Sequence, residues 1–258
     1  MREITSNQNP VVKAMRELRE SRARQSQMRM LVEGEKMIRE AAESGLKVYD
    51  VLVDAQKWEK YAPVAQLMED AGANVYAAPL RVIEAVCDTK TPQGVVASFA
   101  LPASGMPEGM LVALDGVQDP GNVGTIWRTA DAAGFGGLLV GEGSADPFSQ
   151  KVQRSAMGSA FRVPVKCGNM VEMLLAKKAQ GYRIVASALD GTDFRERIDA
   201  GEKAILIVGS EARGISPEVM ALADVKLRIP MLGKAESLNA AVAAGIFMYQ
   251  MAVFKKEK

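Results

Sequence analysis

The C-terminal half of the chain carries six short β-type runs, most of them almost wholly apolar, separated by stretches of helical character. They are Met110–Leu114, Gly137–Val140, Arg162–Val165, Arg183–Ala186, Ala204–Val208 and Val225–Ile229. A strand with one wet face alternates apolar and polar residues. A run such as Ala204-Ile205-Leu206-Ile207-Val208 offers no polar face and must be covered on both sides. Helices supply that cover, and the spacing predicts them over Val123–Ala133, Ser149–Ser159, Val171–Gln180, Pro217–Ala223 and Ser237–Lys255. The pattern is that of an α/β domain on an open, doubly wound parallel sheet.

The first half repeats the alternation on a smaller scale. Strands are expected over Val48–Val53, Asn74–Ala77 and Val95–Ala100, and helices over Val11–Gln25, Glu35–Ser44 and Pro63–Ala71. The small, proline-bracketed segment Pro102–Gly109 reads as a linker. The expected organisation is therefore an N-terminal α/β domain over 1–102, a linker over 103–109 and a larger domain over 110–258. A hydrophobic content of 48% is enough to build both cores and excludes wholesale disorder.

Charge and rare residues narrow the chemistry. The net charge is +1, so no global basicity points to nucleic acid. Between Pro10 and Met30, however, six bases (Lys13, Arg16, Arg19, Arg22, Arg24 and Arg29) stand against two acids. Such a cluster is either a solvated helix face or a phosphate-contacting surface. The two cysteines, Cys87 and Cys167, have no metal-type pairing and are expected as buried free thiols in a reducing compartment. With no histidine in the chain, His-based zinc sites, Ser-His-Asp triads and an imidazole base are all excluded. No metal is expected. No apolar run is long enough for a membrane span, and charges occupy the N-terminus where a signal peptide needs an apolar core. A cytoplasmic location is the expectation.

The familiar nucleotide-binding signatures fail. Gly141-Glu142-Gly143-Ser144-Ala145-Asp146 begins as a dinucleotide loop but lacks the third glycine, and no phosphate-loop motif occurs. Three other segments hold the candidate chemistry. In the first, Asp119-Pro120-Gly121-Asn122 makes a tight turn into a helix that Asn122 would cap and Gly134 would end. Val123, Ile126, Trp127, Ala130 and Ala133 share one face of that helix, and Arg128 points away from it. In the second, Gly209 follows the strand Ala204–Val208 and would allow either a turn or close approach to a ligand. In the third, Ile229–Ala241 joins a strand through Pro230 to an alanine-rich helix, with Ser237 and Asn239 at its start, capping it or facing a ligand.

In order and spacing, Leu114–Ala130, Ile207–Ser216 and Ile229–Ala241 resemble the three motifs of the SpoU (TrmH-type) RNA ribose methyltransferases of the SPOUT superfamily. The first half is similar to that family's substrate-binding extension in Ile4-Thr5-Ser6 with Asn9-Pro10, Val32-Glu33-Gly34 and Thr89-Lys90-Thr91-Pro92-Gln93-Gly94. The resemblance implies a deep trefoil knot in the C-terminal third, a homodimer, and S-adenosylmethionine held by the backbones around Gly209, Ile229, Met231 and Leu238. It further implies an active site of Asn122, Arg128, Glu211, Ser237 and Asn239, with Arg128 commonly serving the partner subunit. Arginine stays protonated, so Arg128 is assigned to the adjoining phosphate and the developing alkoxide, while Glu211 or the phosphate receives the proton. The apolar residues Val242, Ile246, Phe247, Met248, Met251 and Phe254 surround more of their helix than one core face requires, as a dimer would need.

The implied substrate is structured RNA, ribosomal rather than transfer RNA, because the extension is common among rRNA-modifying members. Lys13, Arg16, Arg19, Arg22 and Arg24 would contact it. Lys151 and Arg154, in Ser149–Ser159, also fit a family segment, although a plain basic helix would look the same. Two rivals stay open at this point: a noncatalytic RNA-binding or ribosome-assembly protein on the same fold, and a base N-methyltransferase of the superfamily.

Overall fold

The computed structural model describes residues 2–102, 105–196 and 201–253. Ala103 and Ser104 of the expected linker, and Phe254 and Lys255 of the expected last helix, lie outside the described residues. The chain forms two compact units, Met1–Ala103 with Phe148–Arg162, and Ser104–Pro147 with Val163–Lys258.

The first unit begins with β1 (Arg2–Glu3), α1 (Pro10–Glu17), α2 (Ser21–Gln27), β2 (Arg29–Glu33) and α3 (Glu35–Glu43). It continues through β3 (Val48–Asp54), α4 (Trp58–Asp70), β4 (Asn74–Ala78), α5 (Leu80–Val86) and β5 (Val95–Ala100). The sheet order is β1-β4-β3-β5-β2, with β5 antiparallel to both of its neighbours. Leu31, Leu52 and Val96 pack there with Val12 and Met15 of α1 and with Val82, Ile83 and Val86 of α5.

One expected helix, Val11–Gln25, is two. The amides of Leu18, Arg19 and Glu20 bond to carbonyls three residues back, which tightens and ends α1. Arg24 then turns inward. It is 4% exposed, and its Nη1 donates to the carbonyls of Leu18 and Arg19, both at 2.7 Å. These are free C-terminal carbonyls of α1, which a cation satisfies well. Arg24 is therefore a staple between the two helices, and its assignment as an RNA contact is corrected.

The second unit starts with β6 (Leu111–Asp115), α6 (Pro120–Ala132) and β7 (Gly137–Gly141). The chain then contributes α7 (Gln150–Ala156) and α8 (Ser159–Arg162) to the first unit. It returns as β8 (Val165–Gly168), α9 (Met170–Ala179), β9 (Arg183–Asp193), β10 (Ala204–Gly209), α10 (Pro217–Met220), β11 (Val225–Arg228) and α11 (Ala240–Val253). The strand order is β11-β9-β10-β6-β7-β8, and every pairing is parallel. Burial of Leu111, Ala113, Ile205 and Ile207 against Leu174 of α9 and Val219 of α10 accounts for the unbroken apolar runs.

Two segments depart from expectation. The strand placed at Arg162–Val165 begins only at Val165, because Ser159–Arg162 is helical and Pro164 has no amide for a ladder. β9 runs seven residues past its expected end, through polar residues that pair with β11 across a bulge between Lys226 and Leu227. Of the two thiols expected to be buried, Cys87 is buried and Cys167, in the sheet's last strand, is exposed.

Candidate active site

In the second unit the chain adds β7 and β8 on one side of β6, then crosses to place β10 and β9 on the other. The carboxyl ends of β6 and β10 therefore flank a switch in strand order, where open α/β sheets bind their ligands. Asp115 and Gly209, the last residues of those strands, are register partners. Asn122 stands in the first turn of α6 after β6, Glu211 in the loop after β10, and Ser237, Leu238 and Asn239 in the loop after β11.

The loop after β10 is closed tightly. Ser210 and Gly214 exchange backbone hydrogen bonds at 3.0 and 2.9 Å, and Asp115 Oδ2 accepts the Ser216 N–H at 2.7 Å. A Cβ on Gly209 would lie 2.2 Å from the Gly214 carbonyl carbon. The loop's own backbone thus requires glycine at 209, and the clash a side chain would create is with that loop. The closed loop leaves Glu211 at the surface.

The cap of α6 is Asp119, whose Oδ1 accepts the Asn122 N–H at 2.9 Å. Asn122, expected as the cap, lies in the first turn instead, and its side chain is free for other partners. Asn122 Nδ2 donates to Glu211 Oε1 at 2.5 Å, and Asn122 Oδ1 accepts from Asn239 Nδ2 at 2.9 Å. Asn239 in turn caps α11, its Oδ1 accepting from the amides of Ala241 at 2.9 Å and Val242 at 3.2 Å. Committing that oxygen to the helix leaves the Asn239 amide nitrogen to face Asn122. The first turn of α6 and the loops after β10 and β11 are thereby joined by side chains 89 and 117 residues apart in sequence.

Beside this chain of amides lies a cleft of about 450 Å³, counted with its open mouth. Ile229, Met231, Leu238 and Phe247 line it together with Ser187 and Ser237. Leu189, which also lines the cleft, is 75% exposed, and Leu232, next to Met231, is 90% exposed. An apolar cleft with a few polar groups is the usual form of a small-molecule site. The wall contributed by β9 was not foreseen, because its polar sequence Leu189-Asp190-Gly191-Thr192-Asp193 reads as a loop. It is secured by charge: Lys226 Nζ lies 2.9 Å from Asp190 and holds that carboxyl below its ordinary range. The Arg195 side chain grips Asp193 and holds its pKa at about 2.

Arg128 is exposed on α6, and its side chain has no hydrogen bond or ion pair among the described residues. It stands on the outer face with Thr125 and Ala132, opposite the buried Val123, Ile126 and Trp127. The other candidates lie in the first unit. Lys13, Arg16, Arg19 and Arg22 are exposed on or beside α1 and α2. Lys151 and Arg154 are exposed on α7, where Arg154 Nη1 is 2.6 Å from Asp88 Oδ1. Two positioning residues, Asp115 and Asp119, were not singled out by sequence. Their signal was an acid directly after an apolar strand and another directly before a proline-initiated helix.

Fold and site together define an α/β domain with an apolar cleft among the loops after its parallel strands and no glycine-rich phosphate loop. Residues 109–249 match the SpoU rRNA Methylase family, and residues 9–97 match the MRM3-like substrate binding domain. The chain is 37% identical to the 23S rRNA (guanosine(2553)-2'-O)-methyltransferase RlmP of Bacillus subtilis (strain 168), over 97% of this chain and 99% of that one. The structure matches an AdoMet-bound rRNA methyltransferase from Sinorhizobium meliloti with a TM-score of 0.84 and 33% identity, over 98% of each chain. It also matches the AdoMet complex of the SpoU methyltransferase AviRb from Streptomyces viridochromogenes, with a TM-score of 0.83 and 28% identity, over 96% of this chain and 98% of that one. The chain belongs to the SpoU rRNA methylase family. It is an RNA methyltransferase that uses S-adenosylmethionine.

The cleft fits that cofactor in character: its apolar side chains suit an adenine ring, and Ser187 and Ser237 put polar groups in its wall. Among the described residues, no group of His, Cys, Asp and Glu could hold a metal ion, and no helix is long and apolar enough to cross a membrane.

Proposed function

We propose that this enzyme methylates a ribose 2′-hydroxyl of ribosomal RNA, with Asn122, Arg128, Glu211, Ser237 and Asn239 as its active-site residues. The observation that carries the reading is the hydrogen-bonded series Glu211–Asn122–Asn239 beside an apolar cleft. S-adenosylmethionine supplies an electrophilic methyl group, so the protein's work is to position a poor nucleophile and assist departure of its proton.

Each residue then has a defined task. Ile229, Met231 and Leu238 hold the cofactor, and Gly209 shapes the loop that borders it. Asn239, fixed by its bonds to α11, orients the Asn122 amide toward Glu211. One oxygen of Glu211 takes that amide, which leaves the other to accept from a ribose hydroxyl. Ser237 is a further positioning donor. Arg128 binds the adjoining phosphate and stabilises negative charge growing on the 2′-oxygen, and Glu211 or the phosphate takes the proton.

The enzyme is proposed to act as a cytoplasmic homodimer, knotted in its C-terminal third, with Arg128 completing the partner's site. Val242 and Tyr249 are 52% and 50% exposed on α11, each about one turn from the half-buried Ile246, and form an apolar stripe that supports this reading. The free, outward side chain of Arg128 supports it too. Contacts to RNA are assigned to Lys13, Arg16, Arg19 and Arg22 in the first unit, and to Lys151 and Arg154. The 23S rRNA specificity of RlmP favours large-subunit rRNA as substrate. Mapping 2′-O-methyl sites in rRNA and tRNA from cells with and without the gene tests this: one rRNA site should lose its methyl group. Loss of a tRNA site alone would move the substrate to tRNA.

A further inference from the structure

β9 and β11 pair on both sides of an interruption. Lys226 is the register partner of Ala186 and Leu227 that of Thr192, so one peptide step on β11 spans residues 187–191 of β9. Those residues have no register partner among the described residues. They form a bulge, a device that re-aims side chains beside functional sites. Here it makes one wall of the apolar cleft, which Ser187, Ala188 and Leu189 line.

A wall outside the ladder is only as fixed as its two feet. At the near foot, Ala186 is paired with Lys226 on one side and with Ile207 of β10 on the other. At the far foot, Thr192 and Asp193 rejoin β11, and the Phe194 N–H donates to the Arg228 carbonyl at 2.9 Å. Gly191 lies flat on the β11 backbone, where an added Cβ would come within 2.6 Å of the Lys226 carbonyl carbon. The half-buried Phe194 then turns its ring onto α11, 6.5 Å from the ring of Phe247 and at 89° to it. That is the favoured edge-to-face arrangement of two aromatic rings. Phe247 is 2% exposed and lines the cleft, as does Ile229, the residue after Arg228. Phe194 therefore ends one wall of the cleft and is bonded to the other two.

We propose that Phe194 is a positioning residue that sets the affinity for S-adenosylmethionine. It is not among the residues lining the cleft and acts through them. By locking the far foot of the bulge to Phe247 and to the end of β11, it fixes the width of the cleft before the cofactor enters. Such pre-organisation spares the cofactor the cost of ordering its own site. The inference rests on the reading that the cofactor occupies this cleft.

The test is calorimetric binding of S-adenosylmethionine to the full chain, paired with turnover on an unmodified large-subunit rRNA transcript. Phe194→Ala should bind the cofactor about three- to tenfold more weakly, the worth of one edge-to-face ring pair. KM for S-adenosylmethionine should rise by the same factor while kcat at saturating cofactor holds, a split that a general folding defect would not give. Phe194→Tyr keeps the ring and should restore both constants. Gly191→Ala disturbs the same foot without touching the ring and should also raise KM. If Phe194→Ala does not fold, Phe194→Leu keeps the bulk, loses the ring edge and should show the weaker binding. Wild-type affinity in the Phe194 variants, or a lowered kcat with unchanged KM, would overturn the proposal. Weakened binding by Met231→Asp would then leave the cleft as the cofactor site and remove only the role of Phe194. Wild-type affinity in Met231→Asp as well would remove the cofactor from this cleft and overturn both readings.

Discussion

Asn122 and Asn239, 117 residues apart in the chain, share a hydrogen bond of 2.9 Å that joins the start of α6 to the cap of α11. Neither side chain has slack. Asn239 is held by two amides of its helix, and Asn122 spends its nitrogen on Glu211. Residues tied in this way act as a unit, so their losses should not add. Asn122→Ala and Glu211→Ala should each lower kcat, and the double variant should fall little below the worse single. A double-mutant cycle on single-turnover rates should return a coupling of about 0.5–3 kcal/mol. Additive losses would mean that Asn122 and Glu211 work separately.

Arg128 should matter in the reaction step and not in folding. Arg128→Ala should keep its melting temperature and cofactor affinity while losing about a hundred- to thousandfold in rate. Arg128→Lys should recover little, because one ammonium cannot reproduce the planar fork of a guanidinium. Mixing Arg128→Ala with Asn239→Ala subunits should restore one working site per mixed dimer. No recovery, despite proven subunit exchange, would place Arg128 in its own subunit's site.

Asp115 is a positioning residue for Glu211. Its Oδ2 accepts the Ser216 N–H at 2.7 Å and closes the base of the loop that presents Glu211. Asp115→Ala strands that amide at a cost of about 1–3 kcal/mol. The expected result is a fall in kcat of about tenfold with a near-constant KM for S-adenosylmethionine. Asp115→Asn should recover most of it, since a carboxamide oxygen still accepts. Equal changes in both parameters for Asn and Ala would point to a general folding defect.

The exposed stripe on α11 should hold two subunits together. Val242→Asp with Tyr249→Asp places two charges on it without touching the buried Ala244, Phe247 or Met248. Sedimentation at micromolar concentration should show a dimer for the wild-type protein and a monomer for the variant. A wild-type monomer would remove both the dimer and the role of Arg128 in the partner's site.

Much of this architecture was legible in the sequence because the physics was local and periodic. Runs such as Ala204–Val208 have no polar face, so a parallel sheet covered on both sides was the direct reading, and the structure has one. The motif segments placed Asn122 and Asn239 at helix starts and Glu211 just past a strand, and the structure brings the three into contact. What sequence could not convey was the direction in which a side chain turns. Arg24 reads like its exposed neighbours Arg19 and Arg22, yet it folds back on two carbonyls. Gly209 reads as either a turn or an opening for a ligand, and only the structure shows that its missing side chain makes room for Gly214. The extension of β9 has a loop's composition and is a strand because β11 supplies the partner. In each case the deciding contact is made by residues distant in sequence or by a turn whose closure composition does not reveal.

The most direct test of the central claim is chemical. Purified enzyme is incubated with S-adenosylmethionine carrying an isotope-labelled methyl group and with an unmodified large-subunit rRNA transcript. The RNA is then digested to nucleosides and weighed by mass spectrometry. The account expects the label on ribose, in a single 2′-O-methylated nucleoside, and its near-complete loss with Arg128→Ala. Label on a base, or no label in rRNA, would contradict it.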